Sequence, residues 1–326
     1  MTVHTQLDHL PIFRNAVITI GTFDGVHTGH QAILKQLQEE AALVNGETVI
    51  ITFNPHPRRI VQNQLSEVRL LNTLSEKISL LENMGIGHLV IVPFTRAFAD
   101  QPAIDYVTNF LVKYFRPHTI IIGYDHRFGH NREGNYHLLE DLKEQFNYKV
   151  KEIPEHILQD LTISSTKVRQ SIINGHIEIA NQFLGYSYFF EGVVVEGNRL
   201  GRTIGYPTAN IRISDEEKLV PGNGVYAVDI RLPLPAETNT ATISASPEAP
   251  FRTFGGMMNI GMRPTVNGTK RTIEVNIFDF DEDIYGATVR VYVKAWLRGE
   301  VKFSGLDALK DQLAKDKTGA MEKLER

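Results

Sequence analysis

The chain has 326 residues, 42% hydrophobic and 22% charged, with no cysteine. That composition excludes a fibrous or wholly disordered chain, and the missing thiols exclude disulfides and thiolate metal sites. With 34 basic and 38 acidic residues the net charge is −4, so no global basic field is offered to a nucleic acid, and no stretch approaches the roughly 18 apolar residues of a membrane span.

At about 150 residues per domain, the length predicts two domains. The N-terminus MTVHTQLDHLPIF has no basic segment followed by an apolar run, so a cytoplasmic protein without membrane or nucleic-acid partners is expected. Short apolar runs at Ala16 to Ile20, Thr48 to Phe53, His88 to Val92, Thr119 to Ile122 and Tyr148 to Ile153 alternate with helix-period segments. They read as buried parallel strands joined by crossover helices, which predicts a doubly wound α/β sheet. From Thr28 to Val44, the residues Ile33, Leu34, Leu37, Ala41 and Leu43 suit one buried helical face. Two short helices, Ser165 to Ile173 and Ile177 to Leu184, are expected to end the first domain with Gly185 as a C-cap, dividing the chain into 1–185 and 186–326. Beyond Tyr186 the runs Phe189 to Val195, Gly224 to Ile230, Arg271 to Phe278 and Thr288 to Trp296 are β-branched and aromatic, predicting an antiparallel barrel or sandwich. A helix from Leu306 to Lys315 closes the chain. Between Leu232 and Phe251, four prolines and two charged residues with little bulk read as a flexible hairpin insertion.

The first strand runs into Gly21-Thr22-Phe23-Asp24-Gly25-Val26-His27-Thr28-Gly29-His30 and then a helix. Glycines there let the backbone approach a ligand closely, and the free N–H groups of a helix start attract phosphate. His27 and His30 can place two imidazoles beside one phosphate, where an N–H stabilises negative charge developing during transfer. A tight turn with two surface histidines would be the plain alternative; the pair, the small residues between them and the strand-turn-helix setting favour the phosphate reading. Zinc would need a third ligand, and none stands at a recognisable spacing. Dinucleotide and Walker patterns are missing: Gly85-Ile86-Gly87 lacks a third glycine, and no glycine precedes a Lys-Ser/Thr pair. At Ile163-Ser164-Ser165-Thr166-Lys167-Val168-Arg169, hydroxyls at a helix start with an Arg one turn in form a second candidate anion site.

In the second half, Gly197 to Asn210 is a glycine-rich loop with two further arginines, suited to covering phosphates. Thr208 and Asn210 share one side of a strand, where their oxygens suit a hard cation such as Mg²⁺; a β-turn followed by a polar strand face reads equally well. Glu274, between Ile273 and Val275, is either the solvent face of a strand or a base for a substrate hydroxyl.

The sequence resembles the histidine-containing nucleotidyltransferases with HxGH and (I/F)SST-x-(V/I)-R signatures, and more closely the bacterial bifunctional riboflavin kinase/FMN adenylyltransferases. Thr52 to Pro57, Gly123 to Gly129 and Gly175 to Gly185 also match, as do Gly201 to Asn210, Gly224-Val225-Tyr226, Asn259 to Thr265, Glu274, Arg298, Glu300, Phe303 and Asp316. The resemblance implies a Rossmann-like nucleotidyltransferase domain followed by a β-barrel riboflavin kinase with a terminal helix. It implies ATP, riboflavin and FMN as substrates, FAD as product and Mg²⁺ as cofactor. It would place Gly21, Phe23, His27, His30, Ser165, Thr166 and Arg169 at the ATP of adenylyl transfer, and Asp24, Asn54 and Asp125 along the flavin and nucleotide cleft. For the kinase it implies Gly201, Arg202, Gly205, Pro207, Thr208 and Asn210 as ATP and flavin contacts, with the metal on Thr208 and Asn210 and Glu274 as catalytic base. His126 departs from a common aromatic, and Glu196 and Asn276 from common histidines. A nucleotidyltransferase acting on nicotinamide or pantetheine phosphate would leave the second half unexplained, and a non-catalytic flavin sensor would call for a broken His pair or a missing Glu274. The oligomeric state stays open.

Overall fold

A computed structural model describes residues 1–61, 69–153, 163–197, 200–234, 251–265 and 268–325. The chain divides into two compact units, Met1–Ser165 and Thr166–Arg326.

The first unit is built on six parallel strands: β1 (Thr2–His4), β2 (Val17–Ile20), β3 (Thr48–Asn54), β4 (His88–Pro93), β5 (Thr119–Gly123) and β6 (Lys149–Ile153). Their order is β1-β4-β3-β2-β5-β6. Val17, Ile18, Ile20, Val49, Ile50 and Ile51 are all buried, as a sheet covered on both faces requires. Helices α1 (Thr28–Leu43), α2 (Leu74–Asn83) and α3 (Tyr136–Phe146) accompany the sheet. α1 buries Leu34, Leu37 and Ala41 against Val17 and Ile50. Leu43, expected on that face, is 80% exposed; two steps of about 100° beyond Ala41 turn it to the opposite side. No sequence pattern marks β1, because three residues are too few to show periodicity and only pairing with His88–Val90 makes them a strand. Strands β3 and β4 lie on one side of β2 while β5 and β6 lie on the other, so the winding reverses between β2 and β5. The carboxyl ends there form the crevice in which α/β sheets bind ligands.

The second unit holds α4 from its second residue (Ser165–Ile173), α5 (Ile177–Leu184) and a closed six-stranded antiparallel barrel. Its strands are β7 (Phe189–Val195), β8 (Ala209–Arg212), β9 (Gly224–Pro233), β10 (Phe251–Thr265), β11 (Gly268–Ile277) and β12 (Thr288–Arg298), in the order β10-β11-β8-β7-β12-β9. Closure removes the free strand edges that a sandwich would keep. α6 (Leu306–Lys323) runs beyond the expected Lys315 and buries Ala320 with Ala227, Met257 and Ala295. Gly185 ends α5 in the left-handed conformation at φ 74°, as its position predicts. α5 then docks on the barrel. The Asn181 amide donates to the Val293 carbonyl at 2.9 Å and its oxygen accepts from the Tyr188 N–H at 2.7 Å. Packing therefore groups the two short helices with the barrel, and the division by contacts falls ahead of them rather than at residue 186. Pro233 pairs with Phe251 at the mouth of the expected insertion; residues 235–250 lie outside the described residues.

Candidate active sites

In the first unit, β2 delivers the chain into a turn in which Phe23, Gly25 and Val26 take positive φ values of 47°, 87° and 36°. His27 is the N-cap of α1, its Nδ1 accepting from the His30 N–H at 3.4 Å. The two imidazoles stack with centroids 3.7 Å apart and 17° between planes, and Phe23 lies against His30 at 5.1 Å. A Cβ at Gly29 would come within 3.3 Å of the His27 ring, which accounts for the small residue inside the pair. His30 Nδ1 is buried without a hydrogen-bond partner. Burial, helped by His27 and Lys77, holds His30 well below the ordinary imidazole range. It is therefore neutral near pH 7, where a neutral ring keeps one N–H to donate.

Asp24 is 1% exposed. Its Oδ1 accepts from the N–H groups of Leu71 at 2.9 Å and Asn72 at 3.4 Å, and its carbonyl accepts from Ser165 Oγ at 3.0 Å. The side chain thus braces the turn, and Ser165 reaches the same residue through its backbone. Asn54, at the end of β3, and Asp125, just past β5, are both exposed at the carboxyl edge of the sheet. Phe53, Phe94 and Phe98 form an aromatic cluster beside Asn54, with centroids 5.3 to 5.7 Å apart. His126 is pushed down to about 4 by burial, against the pull of Asp125, and its Nε2 is buried without a partner. On α4, Thr166 is exposed and Arg169 half-buried.

Lys77 is the residue that sequence reasoning missed. Buried on α2, it donates from Nζ to the Thr22 carbonyl at 2.7 Å. Two signals were present: Thr73-Leu74-Ser75-Glu76 is a capping box that announces the helix, and Lys77 follows it directly on the buried side.

In the second unit, register decides where Glu274 points. On β11 it stands opposite Asn210 of β8 and Asn259 of β10, and all three side chains line a cavity of about 340 Å³. Glu274 Oε2 accepts from Thr208 Oγ1 at 3.4 Å, and its Oε1 lies 3.7 Å from the Arg263 guanidinium. Asn276, two residues along β11, donates to the Pro207 carbonyl at 2.7 Å and so pins the segment carrying Thr208. A Cβ at Gly197 would fall 2.1 Å from Asn210 Nδ2, so glycine there makes room for that amide. Gly201 lines the same cavity; Arg202 lines a neighbouring pocket, which shares Thr208 with the first and also takes in Pro207 and Asp281 to Asp283. Gly205, at φ 85°, turns the loop between them. Across the cavity Arg298 donates to both oxygens of Asp316, at 2.8 and 2.6 Å, and lies over Phe303. Glu196 is exposed before the loop.

Thr208, Asn210 and Glu274 present hard oxygen donors only. Among the described residues no group of three or more His, Asp or Glu could hold a metal. Such a sparse oxygen set fits a cation that keeps waters and takes its remaining ligands from substrate phosphates, the habit of Mg²⁺.

Comparison with known proteins matches the two halves of the chain to two families. The FAD synthetase family model matches residues 10–167 and the riboflavin kinase model residues 184–324. A bifunctional riboflavin kinase/FMN adenylyltransferase of Haemophilus influenzae is 36% identical over 305 residues, covering 94% of this chain and 93% of that protein. The protein of that name from Escherichia coli K12 is 35% identical over 310 residues, covering 94% and 92%. A solved structure named as a macrolide-efflux protein from Streptococcus pneumoniae superposes with a TM-score of 0.80 at 29% identity, covering 98% of both chains. Among the described residues no helix is long and apolar enough to cross a membrane.

Proposed function

The chain belongs to the bifunctional riboflavin kinase/FMN adenylyltransferase family, and from that premise we propose which of its residues carry each reaction. It phosphorylates riboflavin with ATP to FMN and ADP, and adenylylates FMN with a second ATP to FAD and pyrophosphate. We assign adenylyl transfer to residues 1–185 and the kinase to 186–326, and place the enzyme in the cytoplasm, which supplies ATP. The efflux name stays with the pneumococcal protein.

In the kinase, the riboflavin 5′-hydroxyl attacks the γ-phosphate and Glu274 accepts its proton. Phosphoryl transfer asks the protein mainly to position the reactants, orient the nucleophile and neutralise charge. The observation that carries this reading is the row Asn210–Glu274–Asn259, which aims an acid into a cavity whose rim holds Thr208 and the glycine-rich loop. Thr208 and Asn210 would hold the divalent metal, Mg²⁺ in our reading, which when bound offsets phosphate charge. Gly201, Gly205 and Pro207 shape the loop, and Arg202, in the pocket sharing Thr208, faces the nucleotide.

In the adenylyltransferase, the FMN phosphate is already an anionic nucleophile and needs alignment with the α-phosphate rather than a base. The start of α1 and the turn from Gly21 through Phe23 receive the triphosphate, and N–H donors of His27 and His30 stabilise the charge that builds on it. Ser165 belongs to this site through its bond to the Asp24 carbonyl; Thr166 and Arg169 are assigned to the same nucleotide by their motif. Asn54 and Asp125 flank the crevice as flavin contacts, and Asp24 serves it by bracing the turn.

Purified protein incubated with riboflavin, ATP and Mg²⁺, with the flavins separated over time, is expected to yield FMN and then FAD. Appearance of neither would sink the assignment, and FMN alone would restrict it to the kinase.

A further inference from the structure

Neither reaction as described uses Lys77, yet its ammonium is among the few buried charges of the first unit, 7% exposed on α2. Nζ donates to the Thr22 carbonyl at 2.7 Å, an oxygen that also accepts from Thr52 Oγ1 at 3.2 Å. A few residues upstream of Lys77, the N–H groups of Leu71 and Asn72 both bond to Asp24 Oδ1. The turn presenting His27 and His30 is therefore gripped twice, at residue 22 by an ammonium and at residue 24 by two amides. The gripping segment is itself rigid. Thr73 Oγ1 accepts from the Glu76 N–H at 3.2 Å while Glu76 Oε2 accepts from the Thr73 N–H at 2.9 Å, closing a capping box immediately before Lys77.

Burying an ammonium is costly unless it is partnered, and a methionine would fill the same space without that cost. Desolvation opposes the charge of Lys77 and the Asp24 carboxylate favours it. The ammonium in turn acts on His30, which burial, His27 and Lys77 together hold in the neutral form. His27 at the start of α1 and Phe23 in the turn lie against the His30 ring, and the charge of Lys77 acts on it from α2.

We propose that Lys77 is a positioning residue of the adenylyltransferase: it clamps the Thr22 carbonyl and sets a positive charge behind the turn that presents His27 and His30, so that the two imidazoles are held in place for the triphosphate. The proposal rests on reading His27 and His30 as phosphate ligands. A lysine that merely braced the turn would leave the protonation of His30 to burial and His27. A lysine that sets the electrostatics of the pair leaves a signature in the His30 titration.

The test uses the full chain carrying Lys77→Met. Conversion of FMN to FAD is expected to slow by about tenfold or more, chiefly in kcat, the size of one lost preorganised contact. Riboflavin phosphorylation by the same sample is expected to stay within about twofold of the parent, since Lys77 lies in the other unit. In histidine-labelled protein without substrate, the His30 resonance, assigned by its loss in His30→Ala, is expected to titrate at a pH higher by about half a unit or more, because a like charge has been removed. Lys77→Arg keeps the charge and is expected to restore both the parent titration and most of the rate. If Lys77→Met fails to fold, Lys77→Gln is the second neutral variant, with the same upward shift expected. An unchanged His30 titration in the neutral variant overturns the proposal whatever happens to the rate, and so does full FAD synthesis. A parent enzyme that makes no FAD would instead overturn the reading of the site, and the substrate-free titration would still show whether Lys77 governs His30.

Discussion

Between Ile273 and Val275, an acid reads equally well as the outer face of a strand or as a base in a cavity, and pairing with Asn210 and Asn259 sends Glu274 inward. Glu274→Gln keeps the shape and the contact to Thr208 but cannot take a proton. FMN formation is expected to fall by about 10²- to 10⁴-fold, the usual worth of a general base, while supplied FMN is still converted to FAD. Flavin chromatography checks both, and equal loss of the two activities in folded protein would contradict separate sites. His126 leads to a different kind of prediction. Its folded-state value is about 4 against an ordinary 6.5, because burial disfavours the charged ring. Below pH 6.5 the unfolded chain binds a proton that the folded chain refuses, so stability falls as pH drops from about 6.5 to about 4, by roughly 3 kcal/mol across that window, and is untouched above it. His126→Phe is expected to reduce this acid loss, read as urea midpoints at pH 7 and pH 4.5; an identical loss in the variant would clear His126 of the effect.

The histidine turn and α5 lie where their sequences place them, because caps, turns and helix starts are written in neighbouring residues; within the stretch expected as a glycine-rich loop, Leu200–Thr203 form a short helix. Elements whose existence depends on a distant partner were harder to read. β1 exists through β4, and the first half of β10 pairs with β9 across the proline-rich segment. The link between β12 and α6 is of this second kind. Arg298 donates twice to Asp316, which is 4% exposed and also accepts from Gln312 Nε2 at 2.9 Å. Removing one partner of such a pair leaves the other charge without compensation, at a cost of about 3 kcal/mol. Asp316→Ala is expected to lower the urea stability by that order and to weaken the kinase, since Arg298 lines its cavity. Wild-type stability in this variant would mean that solvent already satisfies the guanidinium.

At the scale of the whole molecule, the chain belongs to a family that performs two reactions, and FMN is the product of the first and the substrate of the second. On the proposed assignment, a chain with Glu274→Gln is expected to be crippled in the first step and a chain with His30→Ala in the second. Mixed together they are expected to make FAD from riboflavin and ATP, whereas neither does so alone. Failure of the mixture, with each protein active in its remaining step, would mean that FMN is not released between the steps. The net charge of −4 is no obstacle to two triphosphate substrates. On the proposed assignment each phosphate site is assembled from local glycines, helix starts, histidines and arginines, and such near fields outweigh a small global charge screened over about 10 Å.

The sequence by itself determined that a parallel α/β half precedes an antiparallel β half and where the histidine turn and the main helix starts stand, because those signals are short-range: spacing, caps and periodicity along the chain. Only the tertiary structure decided which way Glu274 faces, that Asp24 braces the turn, that the two short helices pack with the barrel and that Lys77 bonds to the Thr22 carbonyl of the histidine turn. Each of these depends on strand register or on burial against residues dozens of positions away, and neither is encoded in the local pattern.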